Sequence, residues 1–293
     1  MLPAWFKMMV SADRSKPLTK TERFTQLTSL AYVLVGISML LAPSLWRSLW
    51  NVELVGRTAG YMQLGGLVLA VEGYLLVIAS RSAHKVPGHG HINITALTRL
   101  VLVNMSLLKM FQGGVAPRRY LAFFAVLDNS LAAGMFLVWI YTEEGASLVL
   151  FFKEIGSLIF RFPRGPWSSI AILVAGIAQF QGGLYLKDVD RLRSALNLDP
   201  FQGYSNIFLG FYFSLNVAHA VLYVSNSQAI SRPFNISCVF YRVAINVPVI
   251  CVLAVANQVE TSLAVFLVCV EVSFAAFILV FLCCDKDEEN KSK

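Results

Sequence analysis

Apolar runs of about 20 residues recur eight times along this chain of 293 residues, and no other feature restricts its fold so severely. They lie at 27–45, 60–79, 95–115, 121–141, 168–186, 203–224, 238–256 and 261–282. At about 1.5 Å of rise per residue, a helix of that length matches a hydrocarbon core about 30 Å thick. The runs do not alternate apolar and polar residues, as barrel strands would. Helices satisfy their own backbone within lipid, so they are the spanning element that remains. Composition agrees: 57% of residues are hydrophobic and 14% charged, against about 25% charged in a soluble domain. The expected fold class is an all-α polytopic membrane protein, with eight transmembrane helices arranged as two parallel-repeat four-helix bundles.

The remaining charge orients those helices. The net charge is +7, but no basic block interleaved with aromatics occurs, which argues against a nucleic-acid partner. Lys and Arg number 14 on the side shared by the N-terminus and the even connections, and 7 on the other. The positive-inside rule then puts both termini in the cytosol, in the plasma membrane or an endomembrane. Residues 1–26 read as a basic cytosolic tail without the apolar segment of a signal peptide, and 283–293 as a charged cytosolic tail. Residues 142–167 read as a linker whose middle, 146–162, is an amphipathic helix lying on the membrane. Lys153, Glu154 and the closing prolines argue against a ninth span there. The five cysteines all fall in or at the ends of the last apolar runs, which does not suit a disulfide framework. Cys283 and Cys284, at the end of the last span, are candidate lipidation sites.

Ionisable residues inside the spans are costly and need partners or water. Seven occur: Glu72, Arg99, Lys109, Asp128, His219, Arg242 and Glu271. A shift of 143 residues lays Gly60-Tyr61 on Gly203-Tyr204, Arg99 on Arg242 and Asp128 on Glu271. Two ionisable matches of conserved sign at one offset point to duplication: module 1 at 27–141 and module 2 at 168–282. An even number of helices per module makes the repeat parallel. From depth along the helices, Glu72 pairs with Arg99, and Lys109 with Asp128. Arg242 lies near the depth of His219 and Asn216, with Glu271 closer to the middle. These charges either lock helices in register or line a pathway. Pro248 should kink the seventh span, with Asn246 bonding the freed carbonyl.

Other signals carry less. His84, His89 and His91 cluster without a Cys or carboxylate to complete a metal set. Glycosylation-like triplets at Asn93, Asn104 and Asn235 fall in spans or on the cytosolic side and read as chance. No nucleophile elbow, zinc-binding His-Glu-x-x-His or phosphate-binding glycine loop is present, so nothing marks an enzyme, a cofactor or a metal.

Each module has a glycine-rich second helix and an arginine early in the third. In this it resembles the DoxX-like four-helix membrane proteins. It is also similar in layout to the tumour-suppressor-inducible four-helix membrane proteins, through Arg57-Thr58-Ala59-Gly60. The DoxX resemblance implies a small subunit of a quinone-linked redox complex, or an undefined role. Three functions are therefore expected in order: a non-catalytic structural, regulatory or lipid-facing protein; a small-solute or ion carrier using the buried charges; and a redox-complex subunit. Membrane lipid is the expected partner, with a membrane-protein partner or a second copy of the chain beside it.

Overall fold

The computed structural model describes residues 18–81, 90–112, 116–160, 162–163, 165–229 and 231–291. The basic tail up to residue 17, His84, His89 and the side chain of His91 lie outside the described residues. The chain runs through α1 (Lys20–Leu41), α2 (Pro43–Trp50) and α3 (Thr58–Arg81). Next comes α4, built from Gly90–Thr98, a π turn at Arg99–Val103 and Asn104–Gln112. Then follow α5 (Arg118–Thr142), α6 (Leu148–Phe160), α7 (Trp167–Leu186), α8 (Val189–Leu196) and α9 (Ser205–Asn226). Helix α10 repeats the pattern of α4, as Arg232–Tyr241, a π turn at Arg242–Asn246 and Val247–Val255, and α11 (Thr261–Lys291) closes the chain. Eight of these (α1, α3, α4, α5, α7, α9, α10 and α11) are long and apolar enough to cross a membrane. The protein is all-α and polytopic.

Local chemistry explains the boundaries. Helix α1 starts at Lys20 because Thr19 and Glu22 form a capping box: Thr19 Oγ1 accepts the Glu22 N–H at 3.2 Å, and Glu22 Oε2 accepts the Thr19 N–H at 2.8 Å. The short helices α2 and α8 follow the first helix of each half. Each stops at an asparagine in the left-handed region, Asn51 (φ 53°) and Asn197 (φ 51°).

Helices α3 and α9 form the centre, with 78% of each apolar stretch buried against 28–39% for the other six. They pack on each other, α1 lies along α3, and α7 lies along α9. The first half of α4 reaches across to α9, and α10 to α3, so one apolar core runs through both halves. Glycines permit the closest approaches. Gly36 of α1 faces Gly66 and Ala70, and Gly73 of α3 faces Ser29 and Val33. In the second half Gly183 faces Val217, and Gly176 faces Ala220 and Tyr223.

Corresponding positions follow two offsets. Lys20 and Trp167, which start α1 and α7, are 147 apart, as are Thr58 and Ser205, which start α3 and α9. The glycine contacts obey the same offset. Arg99 and Arg242, which open the two π turns, are 143 apart, as are Arg118 and Thr261. The first two pairs of helix starts thus differ by 147 residues, and the last pair and the two arginines by 143, the offset read from the sequence. The stretch from Thr58 to Arg99 is four residues longer than that from Ser205 to Arg242, which accounts for the change. At an offset of 147 Gly203 falls on Gly56, and both have positive φ (54° and 56°). At the same offset His219 falls on Glu72, and Gln179 on Tyr32.

The connections at one end interlock. Arg57 bonds the carbonyl of Asn257 and its Oδ1 at 2.7 Å, Thr58 and Ser205 hydroxyls share a hydrogen bond of 2.9 Å, and Tyr61 donates to Glu260 at 2.7 Å. At the other end lies α6, whose 13 residues reach about 20 Å, too short to span. Its Phe151, Ile155 and Leu158 pack against Ile94 and Trp139, while Leu148, Val149, Phe152 and Phe160 face outward. Glu154 is buried on the docked side and accepts a hydrogen bond from Asn93 Nδ2 at 2.7 Å. Burial pushes its carboxyl up from 4.5 to about 7, with the Asn93 bond pulling the other way.

Two outcomes are expected. In Gly66→Val, a Cβ would stand 2.7 Å from the Gly36 carbonyl and Met39 Cβ, so the variant should lose at least about 1–3 kcal/mol, read as a lower melting temperature in detergent. Docking of α6 favours the protonated Glu154, so its contribution is complete below pH 4.5 and gone above about 7. Hydrogen exchange of residues 148–160, corrected for intrinsic rate, should show more protection at low pH, and Glu154→Gln should flatten the dependence.

Candidate functional site

Two buried polar clusters occupy corresponding places, each centred on the arginine that opens a π turn. A π turn carries one extra residue, widens the helix and leaves a carbonyl to be satisfied otherwise. In α10 the Val247 N–H bonds Arg242 O, and Pro248 beyond it has no N–H to give. In α4 there is no proline, and Asn104 Nδ2 takes over the Leu100 carbonyl at 2.9 Å. Asn246 was expected to serve that purpose in α10. It donates instead to Glu271 Oε1 at 3.0 Å, because its side chain points across to α11.

The second-half cluster is closely bonded. Arg242 is 2% exposed and uses all three guanidinium nitrogens: Nη1 to Glu271 Oε2 at 2.5 Å, Nη2 to Gln179 Oε1 at 2.6 Å, and Nε to the Tyr223 hydroxyl at 3.2 Å. Tyr223 and Tyr241 hydroxyls share a hydrogen bond of 2.5 Å, and Tyr241 meets His219 Nε2 at 3.1 Å. Gln179 Nε2 donates to Asn216 Oδ1 at 3.1 Å. The guanidinium also faces the Phe274 ring at 4.8 Å. His219 and Asn216, expected near the depth of Arg242, are joined to it through Tyr241 and Gln179, and Glu271, expected closer to the middle, pairs with Arg242 directly; Gln179, Tyr223 and Tyr241 were not expected.

The first-half cluster is sparse. Arg99 lies 4.5 Å over the Tyr32 ring, and its Nη1 reaches Met135 Sδ at 3.3 Å. Tyr32 donates to Asp128. Glu72 and Asp128 are close enough to act electrostatically on Arg99 and on each other. Among the described residues neither carboxylate forms an ion pair with Arg99, and Glu72 Oε2, Arg99 Nε and Arg99 Nη2 are buried without a partner. Glu72 thus comes near Arg99 as expected, but not into a salt bridge.

Lys109 does not join this cluster, and the expected pair with Asp128 does not form. Lys109 is exposed. The extra residue of the π turn moves it from about 80° to about 180° around the helix axis from Arg99. The span also ends at Phe111, which leaves Lys109 near the membrane surface. The amides of the three glycosylation-like triplets are all used internally: Asn93 on Glu154, Asn104 on Asn129 and Asn235 on Ser168. Cys283 and Cys284 are free and exposed. Among the described residues, no group of three His, Cys, Asp or Glu could hold a metal ion.

A slot reaches the second cluster from the side. Its inner part, ≈ 230 Å³, is bounded by Gln179, Tyr212, Asn216, Arg242 and Glu271 at one end and by Phe266, Val270 and Phe274 along its walls. Its outer part, ≈ 460 Å³, shares Ala178, Phe266, Val270 and Phe274 and adds Val174, Cys269, Ser273 and Phe277. The slot therefore runs between α7 and α11 from the lipid-facing side to the Arg242–Glu271 pair. No protein-family model matches the chain, and no similar curated protein or solved structure was found.

The difference between the clusters sets an expectation for stability. Glu271→Gln leaves Arg242 buried without its counter-charge and should cost about 3–5 kcal/mol. Arg99→Ala should cost less, since that arginine gives up no ion pair. Thermal unfolding of the purified variants in one detergent orders them.

Proposed function

We propose that this is a multi-pass membrane protein with no catalysis of its own that holds a neutral, hydroxyl-bearing amphiphile in the slot between α7 and α11. The reading rests on one observation, the apolar slot that ends on hydrogen-bonded polar groups at membrane depth. An amphiphile's tail would follow Phe266, Val270 and Phe277, and its head would reach Gln179 and Glu271. Carboxylate and amide oxygens keep acceptor capacity beyond the bonds they already make, which suits a hydroxyl donor. Arg242 is already neutralised by Glu271, so a phosphate or carboxylate head would find no free positive charge there.

The same reading takes the chain as two like-oriented DoxX-like modules, 27–141 and 168–282, joined by the segment 142–167. The shared offsets, the paired π turns and the two arginines support it. Both termini are read as cytosolic, with the exposed Cys283 and Cys284 open to acylation on that side. A carrier role is the second reading, supported by Glu72 Oε2, Arg99 Nε and Arg99 Nη2, which are buried without partners in the first half.

Lipids extracted from the purified protein should contain a neutral hydroxylated amphiphile near one per chain. Ala178→Phe and Val270→Phe, which fill the slot, should lower it at least several-fold. Equal neutral-lipid content in wild type and both filled variants sinks the proposal, and a quinone in the extract would move the reading to a redox-complex subunit.

A further inference from the structure

A second site lies on the face that carries the connections 42–57 and 187–204. A hollow of ≈ 190 Å³ opens there between α4, the start of α8 and α9, with Ser106, Lys109, Lys187 and Asn206 on its walls. Lys187 follows directly on the span Trp167–Leu186, and Lys109 is two residues short of the end of the span Ile92–Phe111. Both ammonium groups are therefore at headgroup level, where long cationic side chains extend to the interface.

The electrostatics of the hollow are one-sided. Lys187 Nζ donates to Ser106 Oγ at 3.0 Å, which fixes it toward α4. Burial and then the Lys109 charge push the Lys187 ammonium below its ordinary value. No carboxylate lines the hollow, and among the described residues none forms an ion pair with either lysine. The adjacent acid, Asp188, is taken by Arg191 at 2.8 Å. Asn206 Oδ1 is buried without a partner, and its amide is free to be turned so that Nδ2 faces the hollow. Two cations, a hydroxyl and an amide thus share one hollow with no carboxylate among them.

We propose that this hollow binds a phosphate group, held by Lys109 and Lys187 with Ser106 and Asn206 as hydrogen-bonding partners. Basic pockets between membrane helices suit such headgroups. The corresponding positions in the other half are Val252 for Lys109 and Leu40 for Lys187, so one phosphate per chain is expected. This site is separate from the slot between α7 and α11, and neither depends on the other.

The test is native mass spectrometry of the full chain in detergent, titrated with phosphatidic acid and with a neutral diacylglycerol of the same acyl chains. Wild type should bind one phosphatidic acid at least tenfold more tightly than the diacylglycerol. The Lys109→Gln/Lys187→Gln variant should lose that preference, whereas Lys109→Arg/Lys187→Arg and Arg118→Gln should keep it. Melting temperatures confirm that each variant is folded. Inorganic phosphate that displaces the lipid at millimolar concentration assigns the site to free phosphate; failure to displace it assigns a lipid headgroup. Equal binding of phosphatidic acid by wild type and the double Gln variant overturns the proposal.

Discussion

A guanidinium taken into hydrocarbon must find hydrogen-bond acceptors or opposite charge within the protein, since the lipid offers neither. Much of this structure follows from meeting that requirement twice. Arg242 meets it fully, with Glu271, Gln179 and Tyr223 around its three nitrogens. These partners come from α11, α7 and α9, so one side chain ties three helices to α10. A central helix pair, 78% of whose apolar stretches are buried, then gives the arginines a place to stand away from lipid.

The first half solves the same problem differently. Where the second half has Gln179, His219 and Glu271, the first has Tyr32, Glu72 and Asp128. Arg99 leans on the Tyr32 ring, and the tyrosine hydroxyl takes Asp128 for itself. Two carboxyls are left to share one cation that bonds neither. In the second half every guanidinium nitrogen is bonded, with His219 Nδ1 and Asn246 Oδ1 left unmatched, whereas in the first the arginine itself keeps two buried nitrogens without a partner, which is costly. That asymmetry makes the halves chemically distinct despite matching helix order.

The two proposed sites follow the same asymmetry. The slot ends on the well-paired cluster, whose charges cancel, and so suits an uncharged head. The lysine hollow sits where α4 of one half meets α7–α9 of the other, and its charges do not cancel. The slot exists because α7 and α11 of the second half leave a gap along the membrane, and the hollow because α4 of the first half meets α8 and α9 of the second imperfectly at its surface.

The eight spans were legible in the sequence because a bilayer demands apolar runs of one length, whatever their neighbours. Arg99, Arg242, Asp128 and Glu271 were legible because charge within such a run is conspicuous. Tyr32, Gln179, Tyr223 and Tyr241 were not, since a polar tip on an apolar helix looks like ordinary packing until its partner is known. The short helices α2 and α8 were hidden inside connections. The place of Lys109 could not be read at all: the π turn that rotates it leaves no mark in α4, where no proline announces it. Composition and periodicity therefore determined how many helices cross and which charges they carry. Which faces meet, and so which charges find partners, was decided by packing, because helix phase and the closest approach at glycines depend on residues distant in the chain.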